Sequence, residues 1–210
     1  MIKAVIFDMD GVLIEAKNWH YEALNRALRL FGYEISRYDH LTTFDGLPTR
    51  KKLQMMSTVY DLPVKLHDFI NEMKQLYTME IIHTQCKPQF NHEYALSRLR
   101  AEGYRLGVCS NSVRSTIDVM MEKSALRDYL EFTISNQEVA HPKPDPEMYT
   151  LAISKLGLSA SECLVVEDHD NGIKAAVAAG AHVLAVRETT DVTYSNIMKR
   201  IGEIEQGLVA

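Results

Sequence analysis

Asp8 and Asp10 stand two residues apart in Val5-Ile6-Phe7-Asp8-Met9-Asp10-Gly11, directly after the apolar run Ala4–Phe7. In a chain still extended there, both carboxylates point to one side, and Gly11 permits a sharp turn after them. Two neighbouring carboxylates repel unless a cation or a proton intervenes. A divalent metal with one protonated member meets that need. A solvated turn after an edge strand would read the same way, so the pair needs company. Val108-Cys109-Ser110-Asn111-Ser112 brings hydroxyl and amide groups to the end of a second apolar run. They suit either phosphate oxygens at a helix start or a plain N-cap. His141-Pro142-Lys143-Pro144-Asp145-Pro146 holds a lysine between prolines that restrict the backbone, a rigid frame for an ammonium that neutralises phosphate oxygens. Val165-Val166-Glu167-Asp168-His169-Asp170-Asn171-Gly172 again ends an apolar run with acids, hard oxygen ligands of the kind magnesium takes.

The elements that must carry these groups follow from periodicity. Short continuous apolar runs at Ala4–Phe7, Leu106–Cys109, Phe132–Ile134, Leu164–Val166 and Val183–Val186 predict strands of a parallel sheet covered on both faces. Helical patterns fall between the last four, over Val113–Lys123, Glu147–Leu156 and Ile173–Ala179, with another over Tyr94–Glu102 before the second strand. Strands alternating with helices define an α/β fold, whose ligands bind beyond the carboxyl ends of the strands. Residues 15–85 differ. They show no strand but much helical periodicity, with a stripe of Leu24, Ala27, Leu28 and Phe31 closed by Gly32, and further helices after Pro48 and Pro63. The division expected is a core of residues 1–14 and 86–210 interrupted by a helical domain at 15–85.

The chain has 210 residues, is 46% hydrophobic and 24% charged, and carries a net charge of −5 with a sequence pI near 5.9. That balance argues against a nucleic-acid binder, which usually shows a basic face, but leaves room for a local basic pocket that binds a small anion. No apolar run is long enough for a signal peptide or a membrane span. Three cysteines, Cys86, Cys109 and Cys163, with no C-x-x-C pair, fit free thiols in a reducing compartment, here the cytoplasm. A monomer or weak homodimer is expected.

Taken in order, the four segments resemble the haloacid dehalogenase superfamily, and the resemblance runs from Val5 to about Val186. It implies a Rossmann-like sheet of strand order 5-4-1-2-3 with a helical cap inserted after the first strand. It implies Asp8 as the nucleophile that becomes phosphorylated, and Asp10 as general acid for the leaving oxygen and then base for water. Ser110 and Asn111 would hold phosphate, and Lys143 would neutralise nucleophile and phosphoryl group. Asp168 and its neighbour Glu167, with the Asp8 carboxylate and the Asp10 carbonyl, would bind Mg2+. An aspartate at position 10 favours phosphate esters, whose alkoxide leaving groups need an acid. In the cap, His20, the Gly46–Arg50 loop with Arg50, and Lys74 resemble substrate-facing positions of beta-phosphoglucomutase-like relatives. Two departures stand out: His169 where the family carries Ser or Thr, and Glu15-Ala16 where close relatives carry Asp and then Ser or Thr. The implied activity is a phosphatase acting on a small phosphorylated metabolite. A phosphomutase and a non-catalytic binding protein are the alternatives.

Overall fold

The computed structural model describes residues 1–44 and 46–208. The chain enters through strand β1 (Ala4–Phe7) and then leaves the sheet. Helices α1 (Lys17–Arg29), α2 (Arg37–Asp39, continued by a π turn through His40–Phe44), α3 (Thr49–Tyr60) and α4 (His67–Gln85) follow. It returns through α5 (Phe90–Ala101), β2 (Arg105–Cys109), α6 (Arg114–Lys123), β3 (Phe132–Ile134), α7 (Glu147–Leu156), β4 (Cys163–Glu167), α8 (Asp170–Ala178), β5 (His182–Ala185) and α9 (Tyr194–Glu205). These elements form two compact units, one of Met1–Glu15 with Lys87–Ala210, the other of Ala16–Cys86.

The first unit is a five-stranded parallel sheet of order β3-β2-β1-β4-β5, the expected order read from the other edge. Phe7 pairs with Val108 of β2 and Val166 of β4, so β1 is central and the residues after it emerge between two neighbours. The unbroken burial of β1 explains its unbroken apolar run, because a parallel strand covered by helices has no wet face. Ala4, Ile6, Cys109, Ile134, Val165, Met148 and Tyr149 share one cluster that fastens α7 to the sheet.

The second unit has its own core of Leu24, Ala27, Leu28, Ile35, Phe44, Leu53, Met56, Leu62 and Ile70. Helix α1 packs on α4. Buried Asn25 bonds the Ile35 backbone in both directions, each at 2.9 Å, which satisfies its amide away from water.

Several elements depart from the sequence expectations. Phe31 is not part of the buried stripe: α1 ends at Arg29, Gly32 takes a φ of +78°, and Phe31 sits 37% exposed, edge-on to Phe69. Helix α5 starts four residues earlier than its apolar pattern because buried His92 occupies the core face ahead of Ala95, Leu96 and Leu99. A 3-10 turn, Val64–Leu66, precedes α4 after Pro63. The α2 segment and its π turn have no counterpart among the expected helices.

Candidate active site

Four loops at the carboxyl ends of β1, β2 and β4 and before α7 carry the chemistry-bearing residues of the first unit. The Asp8 N–H still bonds Val166 O at 2.9 Å, so the sheet holds that residue's backbone. Beyond it Gly11, at φ +95°, reverses the chain, and its N–H donates to Ile14 O at 2.7 Å. Only glycine adopts that conformation without strain.

Lys143 lies at the centre. Its ammonium is 4% exposed and donates to Asp8 Oδ1 at 2.7 Å, Glu167 Oε1 at 2.7 Å and Cys109 O at 2.8 Å. Those are all three of its protons. Burial works against the charge, but the two carboxylates prevail, and its pKa is raised. Burial also pushes the Asp8 carboxyl well above the usual range. Lys143 opposes that, while Glu167, Asp10 and Asp168 add to it. Asp8 thus sits between one ammonium and three further carboxyl groups.

The lysine's backbone is fastened as firmly as its tip. Its N–H donates to Asn111 Oδ1 at 3.1 Å, and Asn111 Nδ2 donates back to its carbonyl at 3.2 Å. The Lys143-Pro144 peptide is cis. Asn111 was expected among the phosphate contacts; its side chain instead grips the lysine's main chain. Glu167, 2% exposed, is equally committed. Its Oε1 accepts from Lys143 and from the Tyr149 hydroxyl at 2.7 Å, and its Oε2 from the N–H groups of Asp168 (3.1 Å) and His169 (3.4 Å). Burial raises the Tyr149 pKa, which keeps the phenol a donor. The Tyr149 ring also lies 4.7 Å from Lys143 Nζ, a cation–π contact.

Asp8, Glu167 and Asp168 each place a carboxylate oxygen within 4.8 Å of the others, the acidic cluster found among the described residues. The Asp10 carboxylate is directed elsewhere. Its Oδ2 accepts from Ser110 Oγ at 3.1 Å and Ser112 Oγ at 2.9 Å. His169 caps α8, its Nδ1 accepting from the Asn171 N–H at 3.2 Å, so it fills the capping role that Ser or Thr commonly takes. Gly172 lets the helix come close to Glu167, since a Cβ there would lie 1.7 Å from Glu167 Oε1.

The remaining candidates lie in the second unit. Lys74, buried on α4, has Nζ 3.3 Å from His20 Nδ1 on α1. Arg50 is exposed in the first turn of α3, after Gly46 at φ +67°. Three contributors were not read from sequence. Tyr149 was one more apolar-pattern residue of α7, although a buried tyrosine hydroxyl demands a partner. The Ser112 hydroxyl looks in sequence like any helix-start cap, and nothing in the spelling of the fourth segment shows how closely Gly172 must approach Glu167.

Residues 5–186 match the family model described as haloacid dehalogenase-like hydrolase, and the chain belongs to that family. It is a hydrolase of the family's phosphatase class. It is 30% identical to an uncharacterized protein of Haemophilus influenzae over 88% of this chain and 91% of that one. It is 26% identical to a phosphorylated carbohydrates phosphatase of Thermotoga maritima over 85% and 82%. Among solved structures, the beta-phosphoglucomutase of Clostridium difficile superposes with a TM-score of 0.83 at 21% identity, over 98% of this chain and all of that one. At that identity the likeness is one of fold.

Proposed function

We propose that this enzyme hydrolyses phosphate monoesters of small metabolites, with carbohydrate phosphates as the substrate class, through an aspartyl-phosphate on Asp8. The observation that carries this reading is the buried Lys143 ammonium 2.7 Å from Asp8, with Asp10 two residues further on. The ammonium lowers the repulsion between carboxylate and incoming phosphate. The Asp8 oxygen attacks phosphorus, and the bond to the leaving oxygen breaks as Asp10 delivers its proton there. Asp10, now ionised, takes a proton from the water that cleaves the aspartyl-phosphate. Ser110 holds a phosphate oxygen, and Asn111 serves by fixing Lys143.

The donor set fits a hard divalent cation. It is all oxygen, it offers no Cys or His, and burial, with the neighbouring carboxylates adding to it, raises the Asp8 pKa. We assign Mg2+ to Asp8, Asp168 and the Asp10 carbonyl, with Glu167 orienting the site because protein donors already occupy both its oxygens. Bound there, the ion would neutralise charge between carboxylate and phosphate. The unit of residues 16–86 serves as the cap, with His20, Arg50 and Lys74 facing substrate. Among the described residues no helix is long and apolar enough to cross a membrane. The buried free cysteines fit a reducing compartment, and the cytoplasm is our assignment.

Chelation should abolish turnover and added Mg2+ restore it. Asp8→Asn should eliminate activity, and Asp10→Asn should lower it roughly 10²–10⁴-fold. Phosphorus NMR on a sugar phosphate should show inorganic phosphate rising in step with substrate loss. Full activity in excess chelator, or an isomeric phosphate in place of free phosphate, would overturn the assignment.

A further inference from the structure

We infer that Ser112 is a positioning residue for Asp10, the tether that keeps the general acid aimed during reaction. The inference rests on the acid role proposed above for Asp10. Both Ser110 and Ser112 donate their hydroxyl protons to one oxygen of Asp10, Oδ2, at 3.1 and 2.9 Å. The two serines are also linked, since the Ser112 N–H donates to Ser110 Oγ at 3.0 Å. Ser110 is fully buried, with its own N–H bonded to Ile134 O at the end of β3, so its hydroxyl can turn but its oxygen cannot move far.

A hydroxyl has one proton. A phosphate oxygen held by Ser110 therefore takes the proton now directed at Asp10, and Ser110 releases the carboxyl when substrate arrives. Ser112 is not committed in that way. Its hydroxyl keeps Oδ2, which leaves Oδ1 as the oxygen that carries the acidic proton to the leaving group. The two serines divide the work: one exchanges Asp10 for phosphate, and the other stops the released side chain from rotating out of line. A misplaced acid costs most when the leaving oxygen is a poor one, because a weakly basic oxygen departs unprotonated.

The test is the dependence of kcat/KM on leaving-group pKa across substituted phenyl phosphates, which share one shape. The quantity kcat/KM reports steps through departure of the phenol, so hydrolysis of the phospho-enzyme does not enter. Wild type should give a shallow slope and Asp10→Asn a steep one. Ser112→Ala should steepen the slope, losing roughly ten- to a hundredfold on phenyl phosphate and less than about twofold on p-nitrophenyl phosphate. Ser112→Thr, which restores the hydroxyl, should return the slope toward wild type. In the Asp10→Asn background, Ser112→Ala should add nothing, as expected of residues acting through one group. A Ser112→Ala line parallel to wild type beside a steep Asp10→Asn line would overturn the tether. An Asp10→Asn line parallel to wild type would sink the acid role itself, and the tether with it.

Discussion

Lys143 is bound at every proton, and its stability contribution follows from its surroundings. Asp8 and Glu167 converge on it, with side chains 11% and 2% exposed. Lys143→Met keeps the length and removes the charge, leaving two carboxylates facing each other in a buried site. Breaking one partner out of a buried pair costs about 3–5 kcal/mol. Urea unfolding of the variant should show a loss of that order, and turnover should vanish as well. A midpoint equal to wild type would mean that the carboxylates take up protons at no cost. The lysine could be read from sequence because prolines flank it, and prolines are visible as letters. Tyr149, its neighbour in space, could not. Its hydroxyl meets Glu167 through a fold that joins residues 18 apart, and a tyrosine in an apolar stripe has no mark that separates a buried donor from a packing ring. Ser112 was hidden differently, because a hydroxyl beside a helix start is so often only a cap.

The strands of the first unit were legible because burial on both faces writes itself as uninterrupted apolar residues. Their ends were not. Helix α5 begins at Phe90 because His92 is core, and a polar letter concealed that. The α2 segment did carry a signal: Ser36 accepts from the Asp39 N–H at 3.0 Å, a Ser-x-x-Asp start of the kind that caps helices. What it lacked was a stripe, for only His40 and Phe44 of the π turn are buried. Helix α8 shows what element placement contributes to chemistry. Its first turn approaches Glu167 so closely that position 172 has no room for a side chain. Gly172→Ala should therefore displace either the helix or the carboxylate. Overpacking of this kind costs about 1–3 kcal/mol, and the thermal midpoint should fall by a few degrees. Activity should fall further than stability, since the Glu167 oxygen displaced is the one that Lys143 and Tyr149 share. Unchanged kinetics would show that the loop yields without disturbing the site.

At the scale of the molecule, the lack of strand pattern between Glu15 and Gln85 reads as an insertion, and Ala16–Cys86 forms one of the chain's two compact units. Substrate choice was less legible, because Arg50 and Lys74 lie far in sequence from the four segments, and neither they nor His20 carry a spacing rule of their own. If they read the substrate's remote end, Arg50→Ala or Lys74→Ala should lower kcat/KM on a sugar phosphate roughly tenfold or more, the worth of a charge-assisted hydrogen bond. On p-nitrophenyl phosphate the same variants should stay near wild type. Equal effects on both substrates would leave Arg50 a solvated helix-start residue and Lys74 a buried structural partner of His20. The placement of β1 has a further result, in the order of synthesis. The strand is central in the sheet, yet its partners are distant: Phe7 pairs with Val108 and Val166. A ribosome adding about 5–20 residues per second needs on the order of ten seconds to supply the first of them. Ala16–Cys86, a contiguous segment, is by then synthesised, and the core cluster within it is built from its own residues. The nascent chain thus contains the whole helical segment while its most apolar strand, the one that presents Asp8, waits unpaired. For that interval Ala4–Phe7 is an unpaired apolar segment open to capture by a chaperone or another chain.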